Sequence, residues 1–202
     1  MKTRVKTLAV IILVLVVLVA ACFAAFIIKD SGGYEYGSVD INTIAKDSDS
    51  IVIEATSFSV SAGRLWETAQ MDIWAGADEA AAYTNAEKAL VEKYAIYYKA
   101  VANGITPDEE TVRVELERNR EISAAASNYE EFQSFLDHIG MTHDEYWDSQ
   151  YENLLEYDAI ARYKEQLKSE FIGSGKNEAD WDAYYKQIVA AAVKQERVKT
   201  VG

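Results

Sequence analysis

Proline, cysteine and histidine are scarce in this 202-residue chain. Pro107 is the single proline, so little in the sequence interrupts long helices. Cys22 is the single cysteine, which excludes an intramolecular disulfide. The two histidines, His138 and His143, have too few convergent neighbours to make a metal site. The sequence therefore favours a helical protein, and we expect neither a metal nor a cofactor.

Positive charge is scarce as well. The chain has 20 lysines and arginines against 33 aspartates and glutamates, a net charge of −13. Lys2, Arg4 and Lys6 precede every acidic residue, so from Lys29 onward 17 bases (20 minus 3) face all 33 acids, a balance of −16. A domain this acidic is repelled by nucleic acid and by anionic lipid. We therefore expect no nucleic-acid partner.

One long apolar run stands near the N-terminus. Residues 8–28 are uncharged and number 21, which is enough to cross a membrane core. The basic tail, residues 1–7, predicts a cytoplasmic N-terminus and a single-pass anchor with an extracytoplasmic C-terminal domain. Two alternatives remain open: a lipobox ending at Cys22, which would be lipidated, or a cleaved signal peptide. Residues 23–28 stay apolar, which favours the uncleaved anchor, and all three readings place the rest outside the cytoplasm.

Beyond the anchor the chain reads as a linker and one mainly α-helical domain. Residues 29–50 are rich in serine, glycine and aspartate and are predicted to be the linker. Residues 51–202 are predicted to be the domain. Within it, the β-branched run 51–55 predicts a short strand that pairs with 197–201. Apolar periodicity predicts helices over 61–75, 78–103, from 106 onward, 128–139, 143–171 and 178–196.

Two capping boxes mark helix starts in this pattern. In the first, Thr106 is the predicted N-cap, Pro107 occupies the first helical position and Glu109 closes the box. In the second, Thr142 is the predicted N-cap and Glu145 closes the box. These signals define the boundaries of the two helices in the middle of the domain.

The order of these elements resembles a known family. The motifs that carry the resemblance are Asn103-Gly104-Ile105-Thr106-Pro107-Asp108-Glu109-Glu110 and the later set Phe132, Phe135, Leu136, Gly140, Met141, Thr142, Glu145 and Tyr146. They are similar to the SurA N-terminal-like chaperone domain of SurA- and PrsA-type foldases, which is related to the chaperone part of trigger factor. The match covers about residues 51–171, and it extends to 201 if the last helix returns to the first strand. The resemblance implies a multi-helix domain that binds non-native polypeptides.

One departure from that family bears on activity. Its foldases often carry a parvulin-type prolyl isomerase domain between the chaperone helices. The break at residues 173–177 stands where such a domain could be inserted, and it holds only a few residues. The resemblance therefore implies a chaperone without isomerase activity.

Aromatic residues are the candidate peptide-binding groups, because they offer large apolar area at low entropic cost. The candidates are Trp66, Trp74, Tyr94, Tyr98, Trp147 and Tyr151. The alternative is that aromatic residues build the core of the helical domain. That alternative is preferred for Leu90, Tyr97, Leu116, Phe135 and Leu154, which lie on the apolar stripes.

Several acidic pairs could be read as catalytic carboxylates, but they are more typical of helix caps and of a solvated helix face. These are Glu109-Glu110, Glu115 with Glu117, and Glu130-Glu131. No nucleophile elbow or phosphate-binding loop is present in the sequence. We therefore expect a non-enzymatic, membrane-tethered chaperone that binds unfolded or partner polypeptides. The alternatives are an adaptor for one folded partner and an isomerase-related foldase.

Overall fold

The computed structural model describes residues 38–46 and 48–201, which form a mainly helical protein with one small sheet. The α-helices of this described part are α1 (Ala62–Trp74), α2 (Glu79–Ala102), α3 (Glu109–Ala124), α4 (Tyr129–Ile139), α5 (His143–Gly173) and α6 (Trp181–Glu196). Its strands are β1 (Ile51–Glu54), β2 (Ser59–Ser61) and β3 (Lys199–Thr200). Short 3-10 turns cover Ile41–Thr43 and Glu178–Asp180. The predicted mainly α class is confirmed.

The described chain divides into two compact units. The smaller unit is residues 108–155, which hold α3, α4 and the first part of α5. The larger unit combines the described residues before 108 with residues 156–201. It holds the sheet, α1, α2, the rest of α5 and α6. Sequence patterning predicts a single domain over 51–202, and it contains no signal for this division.

The sheet has the order β2-β1-β3 with antiparallel neighbours. Ile53 pairs with Thr200, so the predicted pairing of the first and last strands is confirmed. The sequence does not predict the remaining strand, β2, because its three residues are too few to show an apolar period. The register is irregular between Ile51 and Ile53, and both Val52 and Ile53 are buried there.

The core of the larger unit is centred on α2, which packs against α1 and α6. Alanines on α2 are almost fully buried, and their small side chains let the neighbouring helices approach closely. They are Ala82, Ala86, Ala95 and Ala100. Leu65 of α1 and Val193 of α6 are buried in the same core. Packing against both helices explains why buried residues occur around much of the circumference of α2.

Helix caps agree with the sequence in α1, α2 and α5. Ser61, where the predicted helical range begins, accepts the Arg64 N–H at 3.2 Å and is the N-cap of α1. The capping box of α5 is reciprocal: the Thr142 N–H donates to Glu145 Oε2 at 2.8 Å, and the Glu145 N–H donates to Thr142 Oγ1 at 3.3 Å. After α2 the chain turns at Gly104, whose φ of +78° is accessible to glycine.

The start of α3 differs from the predicted capping box. The N-cap is Asp108, whose carboxylate accepts the Thr111 N–H at 3.1 Å, and the helix begins at Glu109. The prediction of Thr106 as N-cap, with Pro107 at the first helical position, was therefore wrong by two residues. Aspartate caps at least as well as threonine, and its charge also interacts favourably with the helix dipole.

The predicted anchor, residues 8–28, and the alternative lipidation site, Cys22, lie outside the described residues. Within the described ranges, 38–46 and 48–201, the structure contains no helix that is long and apolar enough to span a membrane. The described end of the predicted linker packs against the larger unit: Val39 is buried and Ile44 is packed against the core.

Candidate functional site

Four aromatic side chains gather on the larger unit, and we call them the tyrosine cluster: Phe58, Tyr94, Tyr97 and Tyr98. Phe58, in the turn before β2, lies 5.4 Å from the Tyr94 ring centroid and 6.0 Å from that of Tyr98. Tyr97 and Tyr98 meet edge to face at 5.2 Å. The three tyrosines are half-buried. Each therefore has one part packed in the core and another part available to a second molecule.

Beside this cluster, a lysine is buried in the protein. Lys93 of α2 is 4% exposed and forms an ion pair with Glu156 of α5. Its ammonium also lies over the rings of Tyr94, at 5.2 Å, and Tyr157, at 4.6 Å. Burial lowers the pKa of Lys93 to about 8, the charge of Arg64 adds to that effect, and Glu156 opposes it. The pair therefore joins α2 to the second part of α5 at a cost in desolvation.

The pKa values of the tyrosines next to this pair are shifted as well, in the upward direction. Burial raises the pKa of Tyr94, although the guanidinium of Arg64 opposes the rise through its charge and a side-chain hydrogen bond. Burial likewise raises the pKa of Tyr157. Both phenols therefore stay protonated at neutral pH and can act as hydrogen-bond donors. The cluster is an aromatic surface with polar tips, which is a composition suited to binding peptide segments.

The other two aromatic candidates of the larger unit are on α1. Trp66 is half-buried, and the ammonium of Lys46 lies 5.5 Å above its ring. Trp74, the last residue of α1, is 37% exposed. The structure thus brings Tyr94 and Tyr98 together around Phe58, whereas Trp74 lies at the far end of α1.

Trp147 and Tyr151 belong to the smaller unit. Trp147 is 6% exposed, and its indole N–H donates to Ser123 Oγ at 2.9 Å. It is therefore a core residue of this unit instead of part of a surface groove. Tyr151 is half-buried, and the guanidinium of Arg113 lies 4.6 Å above its ring. Trp147 is buried because this unit has an aromatic core with Phe132 at its centre. The ring centroid of Phe132 lies 5.3 Å from that of Tyr146.

Ser123, His143 and Asp144 contain the residue types of a hydrolytic triad, but their geometry does not fit one. Ser123 Oγ lies 2.8 Å from His143 Nε2, whereas Asp144 Oδ1 is 3.7 Å from His143 Nδ1. A triad carboxylate lies within about 3.2 Å of its base. Ser123 is also 3% exposed and donates its proton to the Arg120 carbonyl at 2.9 Å. The hydroxyl therefore serves to join α3 to α5.

The acidic pairs considered as catalytic carboxylates are all exposed. They are Glu109, Glu110, Glu115, Glu117, Glu130 and Glu131. Glu109 pairs loosely with Arg113 along α3, at 3.8 Å. Their interpretation as a solvated face is confirmed. In the described part of the chain, no three histidine, cysteine, aspartate or glutamate side chains are grouped to hold a metal ion.

Sequence reasoning missed the buried charges of α2. Glu87, Glu92 and Lys93 are 6%, 1% and 4% exposed. Burial raises the pKa of Glu87, and its Oε2 accepts the Val39 N–H at 3.4 Å. The available signal was their register: Glu87 and Lys93 each lie three residues from Leu90, on the apolar stripe of the helix. A charge in phase with such a stripe is a candidate for burial.

No protein family, no curated protein sequence and no solved structure matches this chain. The resemblance to the SurA N-terminal-like domain therefore stays an expectation based on the order of its motifs.

Proposed function

We propose that this protein is a non-enzymatic, chaperone-like protein that binds unfolded polypeptides outside the cytoplasm while tethered to the membrane. We also propose that its helical part is a SurA N-terminal-like domain without the isomerase domain. The observation that carries the proposal is the tyrosine cluster. Its half-buried rings offer apolar area held rigid by the core, together with phenol groups for the polar backbone of a client.

The mechanism follows from burial of apolar client segments. A client ring or aliphatic side chain that covers part of the cluster gains about 25 cal/mol for each Å² of apolar surface removed from water. Such contacts are independent of sequence and therefore suit many clients. The acidic surface keeps the chaperone soluble when several clients are present, because its net charge is −13.

The test is suppression of aggregation. The full chain in nanodiscs is mixed with chemically denatured citrate synthase, and light scattering is followed on dilution. We expect suppression by the native chain and weaker suppression by Tyr98→Ser. Tyr184→Ser is the matched control, because Tyr184 is also half-buried but lies on α6 against Phe171. Equal activity of the two variants, or none in the native chain, would contradict the proposal. A prolyl isomerisation assay on the same samples tests the foldase alternative.

The proposed tether restricts where the domain can work. Val39, which is packed in the larger unit, follows the end of the predicted anchor at residue 28 by 11 residues. An extended chain of that length spans at most about 40 Å. Val39, where the larger unit is attached, would therefore stay within about 40 Å of the membrane surface. Protease protection of residues 1–7 and digestion of the domain in spheroplasts would test the topology, and Cys22→Ala would test lipidation by loss of palmitate labelling.

One observation favours the adaptor alternative. Residues 108–155 contain 13 acids and 3 bases, a net charge of −10, so much of the charge is concentrated in the smaller unit. A field of one sign steers a single partner of the opposite sign more than it steers varied clients. In-cell cross-linking discriminates: one dominant product indicates the adaptor, and many products indicate the chaperone.

A further inference from the structure

We propose that residues 38–46, which we call the strap, occupy a docking surface of the α1–α2 hairpin for extended polypeptide segments, and that a client displaces them. The inference rests on the proposed function and adds its regulation. The strap is the described end of the segment predicted to be a linker. We expect a client segment to resemble the strap, with two apolar side chains five residues apart, like Val39 and Ile44, followed by a basic residue like Lys46.

Three side chains of the strap contact the rest of the larger unit. Val39 is 8% exposed and belongs to the core, and Ile44 is half-buried against the same core. The ammonium of Lys46 lies 5.5 Å above the ring of Trp66, which is one of the candidate peptide-binding residues. The contacts thus run from Glu87 of α2, which meets Val39, to Trp66 of α1.

The backbone of the strap, in contrast, bonds largely to itself. The Thr43 N–H donates to the Asp40 carbonyl at 2.9 Å, and the Ile44 N–H donates to the Ile41 carbonyl at 3.2 Å. The Asn42 N–H donates to Asp40 Oδ1 at 3.0 Å. These bonds join atoms within the strap and do not attach it to the helices. Leaving the surface would therefore break few backbone bonds to the hairpin.

Backbone hydrogen bonds to α1 are made by the residues that follow the strap. The carbonyls of Ser48 and Ser50 accept the N–H groups of Gly63 and Ala62 at 2.9 and 2.8 Å. These N–H groups belong to the first turn of α1, where helical N–H groups have no partner within the helix. The pair of bonds makes a fixed point, about which the preceding residues can move without disturbing the sheet.

The surface beneath the strap keeps an unused polar group. Glu87 is 6% exposed, and its Oε1 has no hydrogen-bond partner among the described residues. Its other oxygen receives the Val39 N–H at the long distance of 3.4 Å. A buried acceptor without a donor is costly. A client that brings a better placed N–H or O–H group would satisfy it, which gives a client an advantage over the strap at this point.

The test uses the strap as a free probe. A fluorescein-labelled peptide with the sequence of residues 38–46 is titrated with the full chain in nanodiscs, and anisotropy is measured. Ile44→Asp releases the strap, and Ile41→Asp is the matched control, since Ile41 lies in the same strap but is 44% exposed. We expect Ile44→Asp to bind the peptide about tenfold more tightly than the native chain and the control, because apparent affinity scales with the open fraction. Equal affinity for all three, or no binding, would overturn the proposal.

A second measurement avoids variants altogether. Hydrogen exchange of the native chain is followed with and without reduced, carboxymethylated α-lactalbumin as the unfolded client. We expect the amides of Thr43 and Ile44 to exchange faster when the client is bound, while those of Ala95 and Ile96 in α2 stay protected. A client that binds without changing strap exchange overturns this inference and leaves the proposed function intact. A client that does not bind at all contradicts the proposed function, and the peptide titration then decides the strap alone.

Discussion

The buried pair of Lys93 and Glu156 gives a stability prediction with a definite sign. Lys93 is 4% exposed, and its pKa in the folded protein is about 8 against an ordinary 10.5. The folded state therefore binds the proton less tightly than the unfolded state does. In the window between these two values the unfolded state carries more protons, so the free energy of unfolding rises with pH.

The size of the effect follows from the shift. A difference of 2.5 units (10.5 minus 8) corresponds to about 3 kcal/mol of unfavourable burial at neutral pH. Between pH 7 and 9.5 most of it is relieved, which gives a rise of about 2 kcal/mol. Above pH 10 the tyrosines reverse the trend. Burial raises the pKa of Tyr146 and of Tyr185 to about 12, so their contribution to stability is lost as pH rises further.

Urea denaturation of the native chain and of Lys93→Met at pH 7 and 9.5 measures this. We expect the native chain to gain about 2 kcal/mol more than the variant between these two pH values, because the other titrating groups, Lys164 among them, act alike in both. At pH 7, Lys93→Met removes the cost of burying the ammonium but leaves the buried Oε2 of Glu156 without its counter-charge, so the two effects oppose each other. Glu156→Gln leaves the ammonium buried without its counter-charge and should cost about 3 kcal/mol.

A native chain that gains no more stability than Lys93→Met between pH 7 and 9.5 would refute the assignment of this pH dependence to Lys93. Any rise would then belong to another group. Arg64, the other cation facing the pair, stays charged throughout this range and cannot supply it.

Three further predictions concern single residues. Ser123→Ala should destabilise the smaller unit by about 2 kcal/mol, because it leaves a buried indole N–H unpaired, whereas Ser134→Ala on the exposed side of α4 should change little; hydrogen exchange of residues 108–155 measures both. Asp108→Ala should cost about 1 kcal/mol and Thr106→Ala almost nothing in thermal denaturation, with the opposite order contradicting the observed cap. Gly104→Ala should cost about 1 kcal/mol in the same assay because of its positive φ, although the space around it is open.

Helices and their ends could be predicted well from the sequence because the signals are local. Ser61, Thr142 and the glycine at 140 each act on the turn next to them, and all three mark the observed boundaries. The cap of α3 failed because two acceptable capping residues, Thr106 and Asp108, stand two positions apart. Local chemistry ranks such competitors only by small differences in free energy.

The strap and β2 depend on partners that composition does not reveal, one far along the chain and one in the neighbouring strand. Val39 stands in a polar segment, and its place in the core comes from packing against later parts of the chain, where its N–H also meets Glu87, 48 residues away. Ser59–Ser61 has no apolar period and becomes a strand because β1 is paired beside it. Composition alone predicts a linker in the first case and no regular element in the second.

The candidate site was predictable in part. Aromatic content identified Tyr94 and Tyr98, which the structure brings together, but it could not separate them from Trp147, which is buried. The same aromatic residue type serves a core and a surface, and only the packing of neighbouring helices distinguishes the two. Burial of Lys93 has the same origin, because Glu156 lies 63 positions later in the chain.

Site-specific photo-cross-linking to an unfolded client tests the central claim most directly. A benzophenone amino acid replaces Tyr98 in the tyrosine cluster or, as a control, Val114, which is 65% exposed on α3 of the other unit. The full chain is irradiated with reduced, carboxymethylated α-lactalbumin and, separately, with the native form of that protein. The account predicts strong cross-links from position 98 to the unfolded form, and few from position 114 or to the native form. Equal yields at the two positions, or no preference for the unfolded form, would contradict it.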